Sequence, residues 1–64
     1  MNHDSALDYL VAKLDEEMSD LADHIVHGTL NEVEYKFLCG KLHGLELAKN
    51  YVKDLAKRLE AADE

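Results

Sequence analysis

Proline and tryptophan are absent, phenylalanine and cysteine occur once each, and glycine three times. Without proline, nothing forces a helix to break, and with so few glycines the chain has little of what turns and strand-rich folds need. The single cysteine, Cys39, excludes an intramolecular disulfide. No apolar run is long enough to suggest a membrane span, and nothing resembles a signal peptide, so the expected setting is a reducing cytoplasm without a membrane. Basic residues are also scarce, 7 against 14 acids for a net charge of -7. Binding to nucleic acid draws on clustered Lys and Arg, so a direct nucleic-acid partner is not expected.

What remains is rich in Ala, Leu, Glu, Lys and Asp, the composition of helices. At 64 residues the chain is one domain, 1–64, and a single core of that size is marginal without disulfides, metal or self-association. In the first half, Asp4 or Ser5 suits a helix start, and Asp8 adds negative charge near its first turn. Leu7, Val11, Leu14, Met18, Leu21 and Ile25 then alternate at steps of four and three, the seam of a coiled-coil type of helix. Leu10, Ala22 and Val26 widen that seam.

The stretch from His27 to Glu34 reads as a turn. Gly28 suits the left-handed position past a helix end, and either Thr29 with Glu32 or Asn31 with Glu34 has capping-box spacing. These signals predict helix 1 at about 4–27, a turn at 28–30 and helix 2 at about 31–61, and a turn this short makes the two helices antiparallel neighbours. Charge agrees with this pairing. Residues 1–28 hold seven acids against Lys13 alone, whereas Lys36, Lys41, Lys49, Lys53, Lys57 and Arg58 all lie in the second half. Folding at Gly28 and Thr29 sets Asp23 near Lys36, Asp20 near Lys41, and Asp8 near Lys49 and Lys53.

The second helix carries more apolar surface than one neighbour can cover. Leu38, Leu42, Leu45, Val52, Leu55 and Leu59 form one stripe, and Phe37, Gly40, Gly44, Ala48, Tyr51 and Leu55 form another beside it. Gly40 and Gly44 each cost about 1 kcal/mol against alanine inside a helix, which calls for a compensating close approach. Two explanations are open: the glycines make room for Tyr9, Tyr35 or Tyr51 within one hairpin, or Phe37, Gly40, Gly44, Ala48 and Tyr51 form a contact surface for a second copy. The interleaved Lys41, His43, Glu46 and Lys49 exclude a membrane-spanning use of the small-xxx-small spacing. The expected architecture is all-α, an antiparallel two-helix hairpin dimerising into a four-helix bundle or a larger helical oligomer.

Chemistry-bearing residues are sparse. His24 and His27, three apart, and Cys39 and His43, four apart, are metal-ligand pairs in principle. A hairpin sets His43 roughly 12 Å along the axis from His24, so the pairs do not combine within one chain, and exposed histidines are the expectation with no metal or cofactor. Cys39, next to Leu38, reads as a small half-buried hydrophobe. Asp15, Glu16, Glu17, Asp20 and Asp23 make an acidic cluster whose consecutive members fan out around a helix instead of converging on a pocket. No catalytic constellation is present and no enzyme is expected. The cluster leaves an alternative open, an acidic inhibitor that binds a host nucleic-acid-handling protein by imitating its charge.

The run EYKFLCGKLHGLELAKNYVKDL, Glu34 to Leu55, resembles small uncharacterised helical-hairpin proteins of tailed bacteriophages. The shared elements are Tyr35, Lys36, Leu38, Gly40, Gly44, Leu45 and Ala48, following an acidic first helix and a glycine-containing turn. The resemblance implies a virion-associated or assembly role exercised through protein contacts, with itself, a phage structural protein or a host protein as partner, in the host cytoplasm or the virion. In size and architecture alone the chain is also similar to the plasmid copy-control protein Rop, a dimeric four-helix bundle. The acidic first helix gives no reason to carry over that family's RNA binding.

Overall fold

A computed structural model of the chain describes the backbone of residues 3–63 and the side chains of residues 5–62. Two helices account for nearly all of it: α1 is His3–His27 and α2 is Glu32–Asp63. They pack against each other as a hairpin. The hairpin measures 50 × 17 × 11 Å with a radius of gyration of 15.0 Å, against about 11 Å expected for a compact chain of this length. No helix among the described residues is long and apolar enough to cross a membrane.

The α1 seam lies where its periodicity puts it. Leu7 is buried, and Val11, Leu14, Met18, Leu21 and Ile25 are half-buried against Leu38, Leu42, Leu45, Val52 and Leu59 of α2. The interior is thin. Among the described residues Leu7 alone is buried, and even it is 9% exposed.

The start of α2 uses the second of the two capping options. The Glu34 N–H donates to Asn31 Oδ1 at 2.8 Å, the Asn31 N–H reaches back to Glu34 Oε1 at 3.5 Å, and the Tyr35 N–H donates to the Asn31 carbonyl at 2.9 Å. Two backbone donors that the helix leaves without partners are thereby satisfied reciprocally. Asn31→Ala removes the Oδ1 acceptor of the Glu34 N–H but leaves the Asn31 N–H able to reach Glu34, and it is expected to lower stability by about 1 kcal/mol; thermal melts that coincide with the wild type would show the cap to be ornamental. At the other end, α1 begins at His3, so Ser5 falls inside its first turn. The capping expected of Asp4 lies outside the described side chains.

Gly28 departs from expectation. No glycine has a positive φ, so the left-handed cap is not formed. Instead the Gly28 N–H continues the helical pattern by donating to the His24 carbonyl at 2.8 Å. Glycine is required there by space: a Cβ would lie 2.5 Å from the His24 carbonyl oxygen.

The ion pairs across the hairpin also differ in detail. Lys49 meets Asp15 and not Asp8, whereas Lys36 turns to Glu32 on its own helix at 3.2 Å. Asp20 and Lys41 line one cleft, and Asp8 and Lys53 another, as the folding of the chain requires. The Lys49 shift has a geometric cause. Side chains lean toward the N-terminus of their own helix, so in an antiparallel pair Lys49 leans toward the turn and Asp15 away from it, and the two converge.

Candidate interaction surface on the second helix

Once α1 has covered its share of α2, a continuous apolar stripe is left facing outward. Val33, Phe37, Gly40, Gly44, Leu47, Tyr51 and Leu55 follow one another at steps of four and three, and all are exposed. The exposures are large: 78% for Val33, 68% for Phe37 and 71% for Tyr51. Single exposed hydrophobics such as Tyr9 or Val26 are ordinary, but five aligned along one helix face are not.

Neither Gly40 nor Gly44 touches anything across the stripe. A Cβ built on either would meet nothing within 4 Å. Tyr9, Tyr35 and Tyr51 are all exposed, so the glycines do not make room for a tyrosine of the same hairpin. Of the residues expected at a self-contact, Phe37, Gly40, Gly44 and Tyr51 share this open face, while Ala48 is half-buried and turns toward the α1 seam. Val33, Leu47 and Leu55, absent from that expectation, complete the stripe. The signal that finds them is the four-three alternation, extended in both directions from the two glycines.

The acidic residues do not make one uniform field. Asp15 is paired with Lys49, Glu16 lies 3.7 Å from Lys13, and Glu17 and Asp20 share a cleft with Lys41. Asp23 is exposed. The candidate metal ligands stay dispersed as well: His24 and His27 close α1, Cys39 is a free, half-buried thiol, and His43 Nδ1 sits 3.9 Å from Glu46. Among the described residues, no three His, Cys, Asp or Glu side chains gather where one ion would reach them. Near the end of α2, Arg58 Nε donates to Asp54 Oδ2 at 2.8 Å. That hydrogen bond, then the carboxylate charge, raises the guanidinium pKa above its usual value.

No protein-family model matches the chain, and comparison with curated proteins and with solved structures finds no match.

Proposed function

We propose that this protein works by protein–protein contact: a non-enzymatic helical hairpin that associates with further copies of itself through the outward stripe of α2. Such a protein fits a structural or assembly component of a tailed bacteriophage. The observation that carries the self-association is the stripe itself. Two bare glycines sit at its centre and bulky apolar side chains at both ends, next to a hairpin whose described residues include one that is buried. Ordering a chain costs roughly 1–2 kcal/mol per residue in backbone entropy. A single seam of half-buried side chains offsets little of that, and burying the stripe supplies the missing apolar area. The phage setting rests on the resemblance of the run from Glu34 to Leu55.

Light scattering over a wide concentration range tests the reading. The wild type is expected to show a dimer or larger species that dissociates on dilution. Gly44→Leu fills the groove and should shift the mass to monomer at the same concentration, with helix content unchanged by circular dichroism. A variant of undiminished mass would remove Gly44 from the interface, and a wild type that is monomeric throughout would end the proposal.

A further inference from the structure

The stripe also carries information about how its occupant is oriented. By side-chain size, Val33, Phe37, Gly40, Gly44, Leu47 and Tyr51 run bulky, bulky, small, small, bulky, bulky, and these six positions are symmetric about Leu42, with Leu55 lying beyond the symmetric run. We infer that the occupant is α2 of a second copy running antiparallel, with a two-fold axis at the level of Leu42; this inference rests on the self-association proposed above.

The two possible orientations stack different side chains. In an antiparallel pair, Gly40 meets Gly44 of the partner copy, Phe37 meets Leu47, and Val33 meets Tyr51. Each outer layer then joins one aromatic to one aliphatic side chain, so the layers are similar in volume and the glycines let the backbones approach at the centre. A parallel pair in register stacks Phe37 on Phe37 and Tyr51 on Tyr51 of the second copy, holding the helices apart on either side of two empty glycine layers. It also sets Lys36 beside Lys41 of the partner copy twice over, because residues flanking a parallel seam meet five positions on. The antiparallel pair places Lys36 opposite Asn50.

Lys41 lies next to the stripe in the cleft it shares with Glu17 and Asp20 of α1. Across an antiparallel seam each flank faces the same flank of the partner, so an axis at Leu42 sets Lys41 near Lys41 of the partner copy, one lysine pair against the two of the parallel arrangement. The antiparallel arrangement also opposes the dipoles of the two α2 helices.

A distance measurement separates the orientations without touching the stripe. Ala61 is exposed and far from Leu42, so a spin label on Ala61→Cys, with Cys39→Ser in the same chain, reports the distance between copies. The antiparallel pair is expected to place the labels about 57 Å apart, from 38 residues of helix at 1.5 Å each. A parallel pair would hold them within roughly 25 Å, the interaxial distance of 8–10 Å plus the label arms; that result would overturn the orientation and leave self-association standing. A dimeric mass with any other separation would overturn the register. No coupling between labels together with a monomeric mass would remove self-association itself. As a second readout, mixing Phe37→Cys with Leu47→Cys chains in the same Cys39→Ser background should give the mixed disulfide in preference to either symmetric one. Symmetric disulfides alone would contradict the antiparallel arrangement.

Discussion

Replacing Gly40 and Gly44 together with alanine is expected to change stability in opposite directions at low and high protein concentration. In the dilute, unassociated hairpin a methyl at either position meets nothing within 4 Å. Each substitution then gains the helix propensity that glycine lacks, about 1 kcal/mol, for a total of roughly 2 kcal/mol. In a domain of this size that corresponds to a rise in melting temperature of roughly 8–16 °C. In the proposed associated form the same methyls would sit where two backbones approach, and overpacking of that kind costs about 1–3 kcal/mol. Melting curves recorded across a concentration series should therefore cross, the variant melting higher when dilute and gaining less than the wild type on concentration. A variant stabilised equally at every concentration would show that nothing docks over the glycines.

The second large effect is expected at the two ends of the stripe. Phe37→Glu combined with Tyr51→Glu removes side chains that are 68% and 71% exposed, so the hairpin loses little packing. Glutamate is a better helix former than either aromatic residue, and the far-ultraviolet spectrum should be retained. A pair of copies, by contrast, loses four rings. Each contributes about 1–2 kcal/mol for the surface it still has to bury, so association weakens by roughly 4–8 kcal/mol, or at least about a thousandfold in Kd. Light scattering would show monomer at concentrations where the wild type is associated. Equal masses for the two proteins would place the interface elsewhere.

How much of this was legible in the sequence follows from what each pattern depends on. The α1 seam from Leu7 to Ile25 and the Asn31–Glu34 box are local, set by helical spacing alone, and the structure has both. The excess of apolar positions on α2 was legible for the same reason. Which of Leu47 and Ala48 faces outward depends on where α1 lies around α2, and periodicity within one helix does not give that angle. Lys49 meeting Asp15 depends on the opposed lean of side chains on antiparallel helices, which simple counting from the turn ignores. Gly28 shows a different limit. Its identity was read as conformational freedom, whereas the structure uses its lack of a Cβ beside the His24 carbonyl.

With the proposed self-association, the thin interior would make abundance a control variable. A hairpin in which Leu7 alone is buried among the described residues has little packing to hold it closed, and an opened chain is what proteases cleave. The proposed association would draw copies out of that vulnerable pool by mass action, so each copy's lifetime would rise with the number of its neighbours. Below such a threshold stray copies would be cleared; above it the population would protect itself, and the amount synthesised would set how sharply the protein accumulates.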